Sequence, residues 1–145
     1  MEISPGPEVG LAWLANAPCL VGRAVGDFVF ETHIIAASQP QRAGGIAVWE
    51  GEKLLRFASG VDHIGQLSLG WNQDKEFHLV GAGYLPAAAL RLCLVRQGSR
   101  YTALASPDGH TWHTFAQVEF GSGAPVEVGL FAECNYEYFF PQPFP

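Results

Sequence analysis

The chain has 145 residues, of which 48% are hydrophobic and 15% charged, and it contains 17 glycines and 10 prolines. Its length suits one domain with a single core, and its many turn-forming residues favour short strands. The net charge is −6 with no run of basic residues, which argues against nucleic-acid binding, and no apolar stretch reaches the length of a membrane span.

The organisation of the chain follows from its composition and its N-terminal residues. We expect one domain over residues 1–145, with a core over about 11–140 and a proline-rich tail at 141–145. The first ten residues have neither a basic start nor an apolar segment, so no signal peptide is predicted. Three widely spaced cysteines favour reduced thiols over disulfides or a zinc site. These features favour a cytoplasmic location.

The first clear strand is predicted at residues 27–35, after an apolar segment at 11–20. Alternation places the two phenylalanines of this strand on one face and Glu31 and His33 on the other. The aromatic face is expected to pack on the core. Glu31 and His33 are therefore candidates for ligand binding, or for pairs with side chains of a neighbouring strand.

A hairpin is predicted next, with strands at 45–49 and 53–59 joined by a turn at 50–52. The isoleucine and valine of the first strand belong to the core side, so Trp49 points away from the core. In that position Trp49 can stack on a sugar ring or cap the edge of the core.

Two short strands follow at 66–71 and 77–80, separated by a polar turn and followed by a loop-like segment at 81–86. Trp71 comes directly before the polar turn, so it is interpreted as a loop aromatic that can contact a ligand. A further strand is predicted at 126–133, and residues 136–140 can form a final strand.

The stretch at residues 90–115 predicts a three-stranded meander, because two turn signals divide it. Gly98-Ser99 suits a type II′ turn, and Asp108-Gly109 suits a type I′ turn. If both loops hold two residues, Cys93 faces Leu104 and Leu104 faces His113.

This predicted register sorts the side chains of the meander into two faces. Trp112 falls on the apolar face and is interpreted as a core residue. Arg91, His113 and Phe115 fall on the other, half-apolar face, which suits either a ligand groove or a sheet covered by a loop. Arg91 can instead pair with Glu31 or Glu133.

The whole pattern consists of roughly ten to twelve short strands with turn signals about every 8–12 residues. It predicts an all-β fold, a two-sheet antiparallel β-sandwich. No amphipathic helix and no internal repeat is predicted. The aromatic, proline-rich residues at 136–144 indicate a surface for docking or self-association.

Several pieces of the chain, taken together and in order, resemble a known family. They are Asn16-Ala17-Pro18 followed by Gly26-Asp27-Phe28, then GGIAV at 44–48, then LRLCLVRQGSRYTALASPDGHTW at 90–112, leading to PVEVGLFA at 125–132. The combination resembles the concanavalin A-like jelly-roll domains of the regulation-of-enolase-protein type, which are similar to the C-terminal sandwich of some β-xylosidases. The resemblance covers about residues 11–133. It implies a concave sheet face that can bind carbohydrate, and no common catalytic set.

The residue pattern gives little support for enzymatic or metal chemistry. A retaining glycosidase on this fold needs two carboxylates about 5 Å apart, but Glu50 and Glu52 flank a turn glycine and Glu31 stands alone on its strand. His110 and His113 have an odd spacing, which sends them to opposite faces of a strand. No acidic cluster suits calcium. We therefore expect no enzyme activity, no metal and no cofactor.

The leading hypothesis is a non-catalytic sandwich that binds a carbohydrate-like or other small polar ligand on its concave face. The alternatives are an accessory or protein-interaction module of a larger protein, and a glycoside hydrolase. Aromatic rings stack on the apolar faces of sugars, and polar groups bind the hydroxyls. The candidate ligand-binding residues are Glu31, His33, Trp49, Trp71, Arg91 and His113.

Overall fold

The computed structural model describes residues 19–35, 42–60, 66–74 and 76–134. Within these ranges ten strands form two antiparallel sheets that pack face to face, so the predicted all-β, two-sheet sandwich is confirmed. The described ranges contain no helix long and apolar enough to cross a membrane. The aromatic segment at 136–144 and most of the predicted segment at 11–20 lie outside the described residues.

The larger sheet has six strands and the smaller has four. The larger consists of β1 (Cys19–Ala24), β3 (Arg42–Glu50), β4 (Lys53–Ser59), β5 (Gln66–Gln73), β6 (Glu76–Tyr84) and β10 (Val126–Cys134). The smaller consists of β2 (Phe28–Ile35), β7 (Ala89–Gln97), β8 (Arg100–Ser106) and β9 (His113–Glu119). The spatial orders are β1-β10-β3-β4-β5-β6 and β2-β7-β8-β9. The strands β6 and β9 are thus edge strands of their respective sheets.

The main core lies between the sheets and is built from one side of each strand. Leu55 and Phe57 of the larger sheet belong to the same buried cluster as Leu92 and Leu94 of the smaller one. Each fully buried side chain of this size stabilises the fold by roughly 1.5–3 kcal/mol through leaving water. The alternation of apolar residues along the strands therefore holds the two sheets together.

The strand predicted at 27–35 and the hairpin that follows it are confirmed. β2 alternates half-buried and exposed residues along its length, and Phe28 and Phe30 pack against the main core. β3 and β4 are joined by a two-residue turn, in which Gly51 has a φ of 60°. Trp49 points away from the main core, as the alternation predicts.

The prediction of a loop at 81–86 is wrong for residues 81–84, which continue β6. Glycine is depleted in strands, which is why this segment resembles a loop. In the structure, a Cβ on Gly83 would lie only 2.7 Å from Cε2 of Phe115 on β9. The glycine therefore permits the close approach of two strands that belong to different sheets.

The first hairpin of the meander is confirmed in loop length and register. Gln97 pairs with Arg100, so the loop holds two residues, and Cys93 lies opposite Leu104. Gly98 has a φ of 62°, as the first central position of a type II′ turn requires.

The second hairpin differs from the prediction, because its loop spans six residues, 107–112, instead of two. Leu104 lies opposite Thr114 and not opposite His113, and Ala105 takes His113 as its partner. Successive side chains of a strand point to opposite faces, so a slip of one residue exchanges the two faces. The prediction that His113 lies on the outer face is therefore wrong, and it lies on the inner side of the sheet.

Two aromatic residues exchange their predicted environments for the same reason. Trp112, predicted in the core, lies in the loop before β9 and is half-buried. Phe115, predicted on the outer face, packs on the main core, where its ring stacks on Phe57 with 5.7 Å between ring centres. The register shifts once more between Ala103 and Leu104, as a β-bulge does.

Candidate functional site

The outer face of the four-stranded sheet brings three of the six candidate residues together. Arg91 Nη1 lies 3.0 Å from Glu31 Oε1, so the two residues form an ion pair between β7 and β2. His33 lies directly opposite Arg91 in the same register. None of the described strand residues that point to this face is Phe, Tyr or Trp, so the strands supply no aromatic ring there for a sugar to stack on.

The Glu31–Arg91 pair is held in place by its surroundings. A Cβ on Gly109 would lie 2.8 Å from Arg91 Nε, so the arginine side chain lies against the 107–112 loop. Cys93 lies opposite Glu31 in the register and is buried. Burial raises the pKa of the Cys93 thiol, and the negative charge of Glu31 raises it further. A thiol that stays protonated is a poor nucleophile, so Cys93 is poorly suited to nucleophilic chemistry.

Trp49 lies on the outer face of the six-stranded sheet, next to a second buried cluster. It packs against residues that include Leu54 and Phe131. Arg56 on the same face is only 6% exposed, and its guanidinium carbon lies 5.8 Å from the ring centres of both Phe77 and Phe131. Contacts of this kind between a cation and aromatic rings are favourable. Arg56 and the cluster are thus buried, whereas Trp49 itself is half-buried.

Trp71 lies within β5 and packs against the main core, so its interpretation as a loop aromatic is wrong. The ring of His78 stacks on Trp71 at 4.1 Å between centres and 20° between planes. Phe120 meets the same indole edge-on at 6.5 Å. One face of Trp71 is thus covered by His78, and the indole also contacts Phe120.

The sixth candidate, His113, lines a pocket at one side of the sandwich, where β6 and β9 lie side by side. The pocket has a volume of about 240 Å³. We call it the rim pocket. Its described lining residues are Leu67, Gly83, Tyr84, Leu85, Ala105, His113, Thr114 and Phe115.

The rim pocket combines an apolar floor with a polar mouth. Leu67 and Ala105 are almost fully buried, and Phe115 packs on the main core. By contrast His113 is exposed, and Tyr84, the last residue of β6, is 66% exposed. The outward edges of β6 and β9 also carry backbone N–H and C=O groups that no described neighbouring strand uses. Such a surface suits a small amphipathic ligand.

The loop before β9 determines where His113 enters the sheet. The carboxylate of Asp108 accepts hydrogen bonds from the backbone N–H groups of Thr111 (2.7 Å) and His110 (2.8 Å), and from the Ser106 hydroxyl (3.0 Å). These bonds, with that of Thr111 the strongest, hold the pKa of the Asp108 carboxyl well below its usual range. The carboxylate stays charged at neutral pH and anchors the loop immediately before His113.

Tyr84 and Leu85 are not among the residues predicted from the sequence, because they follow a glycine-rich segment that resembles a loop. The alternation of Gly81 and Gly83 with larger residues has a period of two, which is a strand signal that could have extended β6 to Tyr84. In the described residues, no group of three or more His, Cys, Asp or Glu side chains is placed to hold a metal ion.

No protein-family model and no curated protein matches the chain, but solved structures resemble it. A functionally unknown protein from Saccharomyces cerevisiae has 16% identity over 80% of this chain and 64% of that chain, with a TM-score of 0.65. The GH43 protein BlXynB from Bacillus licheniformis has 17% identity over 71% of this chain and 23% of that chain, with a TM-score of 0.61. The carbohydrate-binding module CBM66 from Bacillus subtilis has 11% identity, covers 83% of this chain and 85% of that chain, and has a TM-score of 0.56.

At these identities the likeness shows the fold alone, a two-sheet β-sandwich. The chain spans 23% of the length of BlXynB and 64% of the length of the yeast protein. Activities of those longer proteins therefore do not transfer to this chain through the fold.

Proposed function

We propose that this chain is a non-catalytic β-sandwich module that binds carbohydrate in the rim pocket. The observation that carries the proposal is the pairing of an apolar floor with exposed His113 and Tyr84 at the mouth of a 240 Å³ pocket. The similarity of the fold to a protein described as a carbohydrate-binding module adds support. We also propose that the sandwich is of the regulation-of-enolase-protein type, which the sequence pattern resembles.

The pocket provides both kinds of contact that a sugar requires. The C–H face of the sugar ring packs against Leu85 and Phe115, while its hydroxyls bind the imidazole of His113 and backbone groups at the strand edges. The phenol of Tyr84 covers the ligand from the mouth. A site of this size with few hydrogen bonds yields a standard binding free energy of roughly −4 to −6 kcal/mol, which corresponds to a Kd between about 1 mM and tens of μM.

The non-catalytic role is proposed because the described lining of the pocket contains no carboxylate. Glycoside hydrolysis of the common kind requires two carboxyl groups on either side of the bond that is cleaved. Glu31 is paired with Arg91 on the outer face of the sheet, and Glu50 accepts hydrogen bonds from Ser122. Both glutamates already serve other contacts.

Calorimetric titration with a panel of neutral monosaccharides and oligosaccharides tests the proposal. We expect Tyr84→Ala and His113→Ala each to weaken binding at least about fivefold, since each removes a contact worth roughly 1 kcal/mol or more. Leu79→Ala is the matched control, because Leu79 is also on β6 and is 58% exposed but does not line the pocket. The proposal would be contradicted if no glycan gave a heat of binding, or if Leu79→Ala weakened binding as much as Tyr84→Ala and His113→Ala do.

A further inference from the structure

We infer that the rim pocket prefers neutral sugars that carry a methyl group over their fully hydroxylated counterparts. The methyl group can belong to a 6-deoxyhexose or to the acetyl group of an acetamido sugar. This inference rests on the proposed function and names the class of sugar that the pocket selects.

The floor of the pocket offers apolar contacts and no side-chain hydrogen-bond partner. Its side chains are those of Leu67, Leu85, Ala105 and Phe115. A sugar hydroxyl placed against them loses its hydrogen bonds to water and gains none from these side chains. A methyl group in the same place leaves water favourably. The floor therefore favours the sugar that presents a methyl group to it.

The polar groups of the pocket lie at its mouth. His113 and Thr114 are exposed, and Tyr84 is mostly exposed. A ligand that satisfies both ends must present hydroxyls outward and an apolar substituent inward. Fucose and N-acetylglucosamine have this distribution, whereas galactose and glucose carry a hydroxyl at the corresponding positions.

The charge of the lining restricts the ligand further. None of the eight described lining residues is an Asp, Glu, Lys or Arg. A carboxylated sugar would lose part of its hydration in the pocket without gaining a charged partner. Neutral sugars are therefore preferred to uronic acids.

The size of the pocket limits the ligand to a single ring. Its volume of about 240 Å³ is smaller than the roughly 300–1,000 Å³ of pockets that enclose drug-sized molecules. One sugar unit, free or at the end of a glycan, accordingly fills it.

Competition titration with matched pairs of sugars tests the inference. The pairs are L-fucose with L-galactose, which differ by a hydroxyl at C6, and N-acetylglucosamine with N-formylglucosamine, which differ by the methyl group of the acetyl; glucuronic acid compared with glucose is the charged arm. We expect the methyl-bearing member of at least one pair to bind roughly tenfold tighter or more, as apolar sites discriminate by about 10–200-fold per group. The pair that responds identifies whether the methyl group is the 6-deoxy or the acetyl one.

The failure of this inference is distinguishable from that of the proposed function. If no sugar binds, both are overturned. If sugars bind but both pairs differ by less than fivefold, or glucuronic acid binds as tightly as glucose, the proposed function stands and the selectivity inference is overturned.

A variant of the floor provides an independent readout. Leu85→Asn adds an amide partner beside the floor at a half-buried position outside the strands, so we expect the preference for the methyl-bearing sugar to fall at least threefold. Leu79→Asn makes the same chemical change outside the pocket and is expected to leave the preference unchanged. If Leu85→Asn folds by circular dichroism and keeps the full preference, the assignment of the floor is overturned. If it does not fold, the sugar pairs measured on the unaltered chain decide.

Discussion

The two hairpins that share β8 begin from similar turn signals and end with different loops. The β7–β8 hairpin closes through Gly98-Ser99 with two loop residues. The β8–β9 hairpin contains Asp108-Gly109, which in isolation suits an equally tight turn, yet its loop spans residues 107–112.

The difference arises from local side chains that bind the backbone. In the longer loop, Asp108 accepts two backbone N–H groups, and the Ser106 hydroxyl accepts a third, from Gly109. Short polar side chains that hydrogen-bond nearby backbone offer the chain an alternative to the strand ladder. In the shorter loop the N–H of Gly98 is bound by Asp27, which is distant in sequence, so the tight turn is kept.

The longer loop also determines which side chains of β9 face the rim pocket. The last pair of the ladder is Ala105 with His113, so residues 106–112 lie between the paired positions, and this odd number shifts the register of β9 by one residue. His113 and Phe115 therefore turn inward and line the rim pocket. Substitutions in and beside the two hairpins test this contrast.

The largest effect is expected at Phe115. Its ring stacks on Phe57 in the main core, so Phe115→Ala should lower the free energy of unfolding by about 2–4 kcal/mol, somewhat less than for a fully buried ring. Thr114→Ala, at an exposed position, should change it by no more than about 0.5 kcal/mol. Urea unfolding measures both variants. The reverse order of effects would mean that β9 has the register of a two-residue turn.

A smaller effect is expected at the first hairpin. Gly98 has a φ of 62°, a conformation that costs a β-branched residue about 1–2 kcal/mol. Gly98→Val should therefore destabilise the protein by about that amount, and Gly98→Asn by clearly less, since asparagine tolerates positive φ. A Cβ at this position would meet nothing within 4 Å, so a steric clash does not explain a loss of stability. If Val and Asn destabilised the protein equally, the positive φ of residue 98 would not be the cause.

These two hairpins also show what the sequence can and cannot predict. Alternation alone identified the faces of β2 and β3, because large apolar side chains recur at every second position, Phe28 and Phe30 in β2 and Ile46 and Val48 in β3. The register of β9 could not be predicted in this way, since Asp108-Gly109 is compatible with two loop lengths and the hydrogen bonds of Asp108 decide between them. The rim pocket could not be predicted either, because it depends on the meeting of two strands from different sheets.

An acid-dependent effect is expected at Asp108. Its pKa is lowered in the folded protein by the hydrogen bonds of Thr111, His110 and Ser106, so its contribution to stability is present above the unfolded pKa of about 4 and is lost as pH falls further. Asp108→Ala should therefore have a lower Tm than the unaltered chain at pH 7, and the gap should shrink as pH falls below about 4. A gap that stays constant down to pH 2 would contradict a role for the ionised carboxylate.

The pKa of the Glu119 carboxyl, beside the first hairpin, is also lowered. Hydrogen bonds from Ser99 (2.7 Å) and then Arg100 (3.1 Å) lower the pKa of this carboxyl. Ser99→Ala should raise the pKa of Glu119 toward its ordinary value, as measured by NMR titration of the carboxyl carbon. The pKa of Asp108 serves as the internal control and should not change.

The smallest effect is expected for the ion pair of Glu31 and Arg91. The two side chains are 42% and 49% exposed, so solvent screens their attraction, and a double-mutant cycle should give a coupling of no more than about 0.5–1 kcal/mol. Sugar binding should be the same in Glu31→Gln as in the unaltered chain, because the pair lies on the outer face. A loss of binding in Glu31→Gln would indicate that the sugar site lies on that outer face and not in the rim pocket.

The most direct test of the account is the response of the histidine imidazoles during a sugar titration. The chain contains five histidines, and the signals of His113 can be assigned by comparison with His113→Gln in NMR spectra. The account predicts a saturable shift of the His113 imidazole on addition of N-acetylglucosamine or fucose, with the His33 and His110 signals unchanged. A saturable shift at His33 with none at His113, or no shift at any histidine, would contradict it.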